Sequence, residues 1–196
     1  IWVSDITYIE TGEGVCYLSL ITDAYSHKIV GWSLGPTLET TYPLEALRMA
    51  LGTIDNYTAS RLIHHSDRGC QYCSDAYVRE LKQRNISISM TQSGDPLENA
   101  IAERSNGILK VEWLYKMTIS SRSECKDVLE RIIPFYNSER PHMSIGWQTP
   151  EQAHTQYGEQ RRVWKNYYYH PEQKLEDNQA DESALRNATT EEVMAM

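Results

Sequence analysis

The chain has 196 residues, 40% of them hydrophobic, and a formal net charge of −8 at pH 7. That length supports one domain of ordinary size with a core, plus a tail. No run of about 18 apolar residues occurs, so a membrane-spanning helix is not expected, and no signal peptide is visible. The acidity argues at first against a nucleic-acid binder. Much of it, however, lies after Pro171, where Glu172, Glu176, Asp177, Asp181, Glu182, Glu191 and Glu192 face only Lys174 and Arg186.

The chain opens on Ile1 and enters directly into a strand-like pattern, which reads as part of a longer protein. Trp2 to Glu10 alternates as a strand, with Asp5 in its middle. Gly12 to Gly14 makes a turn, and Val15 to Thr22 is a second, apolar strand. Asp23 serves the tight connection to a third strand, Lys28 to Leu34, and the three read as an antiparallel meander. Strands disfavour aspartate, so Asp5 suggests a sheet surface facing a site.

Thr40 or Thr41 caps a helix reaching about Ile54. Arg61 to His65 is a short buried strand, stopped by Ser66-Asp67-Arg68-Gly69. Ser74 caps a helix to about Arg84, and Ile86 to Met90 is another strand. Strand, helix and strand at this spacing predict parallel pairing. Asp67 then lies just past the C-terminal end of its strand, where open α/β sheets place functional residues.

Thr91 to Gly94 is a polar loop leading to a helix that begins near Asp95 and runs to Glu112. Asp95 as cap, Pro96 at the first position and Glu98 as capping-box partner mark its start. Asn99, Glu103, Asn106 and Lys110 fall at spacings of four, three and four, so they share one face. A solvated face is the plain explanation of that stripe. A further helix runs from about Ser123 to Tyr136, followed by a loop, Asn137 to His142. Thr149 and Pro150 start a short helix. Trp164 to His170 reads as an extended aromatic segment, and the acidic stretch after Pro171 as largely disordered.

Cys16, Cys70, Cys73 and Cys125 are the cysteines. Cys70-Gln71-Tyr72-Cys73 spells half of a zinc site or a redox pair, but no second pair has ligand spacing. Reduced thiols, buried or semi-buried, in a cytoplasmic compartment are expected.

Asp5, Asp67 and Glu103 stand out by position: mid-strand, strand end and helix. Taken singly, each is explained as a surface charge or cap. Together, carboxylates converging from three elements form a hard oxygen site for Mg²⁺ or Mn²⁺. A pair of such ions suits phosphoryl transfer.

Trp2-Val3-Ser4-Asp5-Ile6-Thr7-Tyr8, then His65-Ser66-Asp67-Arg68-Gly69, then Glu103 with thirty-five residues between it and Asp67, resembles the catalytic cores of retroviral integrases and bacterial insertion-sequence transposases. The helix ending Leu109-Lys110-Val111-Glu112 looks like the third-acid helix of the insertion-sequence-three family. Phe135-Tyr136-Asn137-Ser138-Glu139-Arg140-Pro141-His142, with Thr149-Pro150 after it, looks like that family's C-terminal signature. The similarity covers roughly residues 1–155. Residues 156–170 are left as an aromatic extension and 171–196 as the acidic tail.

The resemblance implies a ribonuclease-H-like α/β fold, a five-stranded mixed sheet flanked by helices. It implies Asp5, Asp67 and Glu103 as catalytic ligands of two Mg²⁺ (or Mn²⁺) ions. The implied activity is metal-dependent cleavage of transposon ends and 3′-OH strand transfer into target DNA. A nuclease without strand transfer and an inactive DNA-binding remnant are the alternatives. Lys110, Asn106, Asn99, Arg68 and Arg140 are candidate DNA contacts; the alternatives are a solvated helix lysine for Lys110, a metal-bound water as partner of Asn106 and Asn99, an acid as partner of Arg68, and a packing role for Arg140. Implied partners are transposon-end and target DNA, an N-terminal helix-turn-helix region outside this chain, and further copies of the protein on DNA. Departures are small: Glu98 stands where many relatives have Asp, and Cys70 and Cys73 replace small hydroxyl residues. Without DNA or metal, Glu103 is expected to stand turned away from the two aspartates, and the helix start to be the least ordered part of the site.

Overall fold

A computed structural model describes residues 1–91 and 99–158. Three strands come first, β1 (Trp2–Thr11), β2 (Gly14–Asp23) and β3 (Ile29–Gly35), followed by helices α1 (Thr41–Leu51) and α2 (Asn56–Ala59). Then come β4 (Ile63–Ser66), α3 (Asp75–Gln83), β5 (Ser87–Met90), α4 (Ala100–Glu112), α5 (Arg122–Glu139) and α6 (Pro150–His154). Short 3₁₀ turns occupy Leu114–Lys116 and Met143–Ile145.

The five strands form one sheet in the order β3-β2-β1-β4-β5. β1 pairs antiparallel with β2, and β2 with β3, as the meander predicts. β1 pairs parallel with β4, and β4 with β5. Side chains alternate between the faces, so one strand feeds two cores. Leu18, Leu20 and Ile9 pack with Ile108 and Leu109 of α4 and with Leu129, Ile133 and Tyr136 of α5. Ile21, Val30 and Trp2 pack on the other face with Ala46, Leu47 and Ala50 of α1 and Tyr77 and Leu81 of α3. Gly31 lets α1 lie flat on β3: a Cβ there would stand 2.2 Å from the carbonyl oxygen of Ala46.

Three local expectations differ from the structure. Thr40 precedes α1 in a helical conformation and makes no side-chain cap; only its carbonyl accepts, from Leu44 N–H. The four-residue α2, capped by Asp55 accepting from Thr58 N–H at 2.8 Å, falls inside what reads as a connection. α5 starts earlier, capped by Ser121, and continues through Pro134 to Glu139, past the end expected at Tyr136. The buried residues Ile133, Tyr136 and Asn137 hold the last turn against the sheet, outweighing the backbone bond that Pro134 cannot donate.

The predicted cap of Ser74 is present, its hydroxyl accepting from Tyr77 N–H. Thr149 and Gln152 form a capping box at α6, with Pro150 at the first turn. The predicted roles of Asp95, Pro96 and Glu98, the order of the Thr91–Gly94 loop, the Trp164–His170 segment and the acidic tail lie outside the described residues. Cys16 and Cys125 are buried, but Cys70 and Cys73 are exposed rather than semi-buried, because their turn runs outward between β4 and α3; all four thiols are free. No described helix is long and apolar enough to cross a membrane.

Candidate active site

The sheet register brings the two aspartates together. The parallel ladder of β1 and β4 pairs Trp2 with His64, Val3 with His65 and Ser4 with Ser66, and ends there. Asp5 and Asp67 are the next residues on each chain. β1 continues along β2 for seven more residues, Asp5 to Thr11, with Asp5 opposite Leu20. The end of β4 thus opens a notch beside Asp5, and Asp67 leaves the sheet at its rim.

Below the notch the strand ends are held by buried polar contacts. His64 Nε2 lies 2.7 Å from Ser4 Oγ and 2.9 Å from the Tyr77 hydroxyl. Burial pushes the His64 pKa down to about 4, so its ring is neutral at pH 7. His65 Nδ1 lies 2.9 Å from Ser89 Oγ, joining β4 to β5. Asp67 Oδ1 accepts from Gly69 N–H at 2.9 Å, which turns its exposed carboxylate across the notch. Arg68 is exposed beside it.

α4 closes the other side. Asn106 donates from Nδ2 to Asp5 Oδ2 at 2.7 Å, and Asn99 donates from Nδ2 to the Ser4 carbonyl at 3.1 Å. Both asparagines are buried, seven residues apart on one helix face, and both reach β1. Their amide N–H groups are directed at β1 rather than at solvent. Glu103 lies between them in sequence but is exposed. It borders an open groove of about 470 Å³ with Arg104, Gly107 and Val111.

Asp5 feels all of this. Burial raises its pKa, hydrogen bonds from Asn106 and the Ile6 N–H oppose the rise, and the charges of Asp67 and Glu103 add to it. The net direction is up. Among the described residues, no three His, Cys, Asp or Glu side chains stand close enough to enclose a metal ion. Glu103 is exposed, and among the described residues it forms no three-carboxylate cage with Asp5 and Asp67. The donor set still suits a hard cation: all three are carboxylates, and a half-buried, desolvated Asp5 gains most from a neighbouring positive charge.

Lys110, two turns beyond Glu103, holds its Nζ 4.1 Å from the centroid of the Tyr8 ring. Partial burial lowers its pKa, against the opposing charges of Asp5 and Glu10. Arg140 does not stand free for DNA. Its Nε donates to Glu112 Oε2 at 2.7 Å, its Nη2 donates to Glu112 Oε1, and its Nη1 reaches the Pro141 carbonyl at 3.3 Å. The alternative of a packing role is the one this geometry favours. The ring of Tyr8 and the acid of Glu112 escape a reading by motif alone. Tyr8 has one usable signal: it closes the same strand motif that carries Asp5.

A mixed five-stranded sheet with this order and flanking helices is a ribonuclease-H-like fold. The catalytic core of the HTLV-2 integrase in complex with magnesium, trimeric form, superposes with a TM-score of 0.60 at 17% identity, over 78% of this chain and 94% of that one. A simian T-cell lymphotropic virus intasome chain gives 0.66 at 17% identity, over 86% and 59%. In sequence, an integrase core domain family matches residues 1–96, and a second family of the same description matches residues 84–150. The transposase InsF of insertion sequence IS3A from Escherichia coli strain K12 is 36% identical over 152 residues, 77% of this chain and 52% of its own length. The transposase of IS629 from Shigella sonnei is 34% identical over 157 residues, 80% and 52%. That of IS904 from Lactococcus lactis is 32% identical over 152 residues, 77% and 59%. The chain thus spans half to three-fifths of the length of these relatives. It belongs to the integrase core domain family, as a catalytic core of the insertion-sequence-three transposase type.

Proposed function

We propose that this chain is the catalytic core of a DNA transposase that cleaves transposon ends and joins the freed 3′-OH to target DNA. The observation that supports this reading best is the notch: Asp5 and Asp67 follow one another in register, and Asn106 ties the Glu103 helix to Asp5. Asp5, Asp67 and Glu103 would hold two Mg²⁺ or Mn²⁺ ions. When bound, these supply activation of an attacking oxygen and stabilisation of the leaving one.

The chain's own residues do the rest. Asp5 and Asp67 are carried by the sheet, and Asn106 orients one oxygen of Asp5. Glu103, on the exposed edge of α4, would supply the third carboxylate to the bound ions. Lys110 on its Tyr8 platform presents a cation beside the site for the DNA terminus, and Arg68 one at the rim. In the first step, water breaks the phosphodiester at the transposon 3′ end, leaving a 3′-OH. In the second, that oxygen forms a bond to a target phosphorus, and the displaced target 3′-oxygen leaves with a proton. Terminal-repeat recognition is assigned to a helix-turn-helix region of the longer protein, and pairing of two ends to an oligomer on DNA.

The test is a strand-transfer assay of the full-length protein with terminal-repeat DNA and Mg²⁺ or Mn²⁺. Joined products should appear in the wild type and vanish in Glu103→Gln. Cleaved but never joined DNA would favour a simple nuclease. By calorimetry, Mn²⁺ should bind the wild type more tightly than Asp67→Asn; equal affinity would sink the metal assignment.

A further inference from the structure

We infer that the Arg140–Glu112 pair is a positioning clamp that sets the azimuth of α4, and hence the placement of Glu103. The inference rests on the reading of Glu103 as the third metal-holding carboxylate.

Glu112 is the last residue of α4, and Arg140 is the C-cap of α5. An acid at a helix C-terminus opposes the helix dipole, so Glu112 is ill placed unless something offsets its charge. Arg140 does so with a two-pronged contact, and the pair is shielded, with side chains 19% and 37% exposed. Arg140 is itself anchored. One turn earlier, Asn137 is stitched to β3, accepting from Ile29 N–H at 2.9 Å and donating to the Ile29 carbonyl at 3.0 Å.

The geometry makes this a control of rotation. Counted at 100° per residue, Glu112 lies on the opposite side of α4 from Glu103, with the buried Leu109 and Ala102 between it and Asn106. Asn106 holds one flank of the helix to Asp5, and Glu112 holds the other flank to α5. Two polar ties on opposite flanks resist rolling about the helix axis, which apolar packing alone resists weakly. A roll moves Glu103 toward or away from the aspartates. Arg140 is therefore a positioning residue, with its guanidinium spent on protein rather than on phosphate.

The experiment compares full-length wild type, Arg140→Ala, Arg140→Lys and the swap Glu112→Arg with Arg140→Glu. Each is measured for single-turnover strand transfer at saturating terminal-repeat DNA with Mn²⁺, for DNA affinity against salt, and for amide exchange of residues 100–112 without DNA or metal. A displaced carboxylate costs on the order of 100-fold in rate. Arg140→Ala should show that loss, with DNA affinity unchanged within about twofold and faster exchange in α4. Arg140→Lys should recover only part of the rate, because lysine lacks the fork. The swap should regain at least about tenfold over Arg140→Ala. A salt slope of DNA binding lower by about one in Arg140→Ala would make Arg140 a phosphate contact and overturn the clamp. So would a swap no faster than the single variant in a folded protein. A Glu103→Gln protein of wild-type rate would instead sink the reading of Glu103, while α4 exchange in Arg140→Ala still decides the clamp.

Discussion

Asn106 Nδ2 and Asp5 Oδ2, 2.7 Å apart, join α4 to the central strand of the site. The bond makes the metal-free protein tolerate a carboxylate that burial and two neighbouring charges disfavour. An acid with a folded pKa above its unfolded value binds more protons when native, so stability falls as pH rises from the ordinary carboxylate range through the raised value and stays lower above it. Asp5→Asn removes that slope and keeps an oxygen for Asn106. Thermal melts without metal at pH 7 should show the variant more stable, by about 2–4 °C for a domain of this size, while Mn²⁺ stabilisation disappears. A lower melting temperature than wild type would contradict the charge-strain account.

Two buried histidines give the opposite slope. His64 is held at about 4 mainly by burial, and His142 at about 4 by burial and the Arg140 charge. Depressed bases stay neutral in the native state while the unfolded chain takes up protons. The stability is therefore fully present above pH 6.5 and is lost as pH falls toward 4. Each contributes on the order of 2 kcal/mol of loss between pH 7 and 5. Urea unfolding at the two pH values should show it, and His142→Gln should flatten the dependence. An unchanged pH slope in that variant would rule His142 out as a source.

Asn137 replaces a missing strand partner for β3, using both amide atoms on Ile29. Asn137→Ala strands a buried N–H and C=O together, which costs about 2–4 kcal/mol. Asn137→Asp keeps one acceptor but sets a charge against the Ile29 carbonyl, and should be no better. Chemical denaturation reads both; a loss below about 0.5 kcal/mol in the alanine variant would mean that water replaces the staple.

The sheet was legible because its signals are local. Alternation in β1, the apolar run of β2, and a buried run stopped at Ser66-Asp67 predict the meander and put Asp67 at a strand end. The three acids were singled out by their joint placement and by a family pattern that spans them; only Asp5, mid-strand, breaks a local expectation on its own. Arg140 was not, because a guanidinium at the end of a helix carries no sign of whether phosphate or Glu112 will meet it. That depends on two helix ends 28 residues apart meeting in space. Asn106 reads as a DNA-facing amide on a helical wheel, and only the depth at which α4 sits against β1 buries it. The end of α5 was placed three residues early because Asn137-Ser138-Glu139 reads as a polar loop, whereas the burial of Tyr136 and Asn137 carries the helix on to Glu139.

The β2–β3 turn has one more consequence. His27, at a positive φ of 61°, turns the chain there; Asp23 closes the turn locally, accepting from Ser26 and His27 N–H, and further bonds reach it from far along the sequence. Tyr136 donates to the His27 carbonyl across 109 residues, Lys28 Nζ reaches Glu151 across 123, and Ser26 Oγ meets His154 Nδ1 across 128. On a ribosome, the meander leaves the exit tunnel with its turn formed but its tethers to α5 and α6 still unsynthesised. The nascent chain should therefore stay loose until α6 has emerged and then compact late in a single step. A translation-arrest force profile should show its main peak only after His154 clears the tunnel; a full-strength peak before Asn137 emerges would mean that the meander closes on its own.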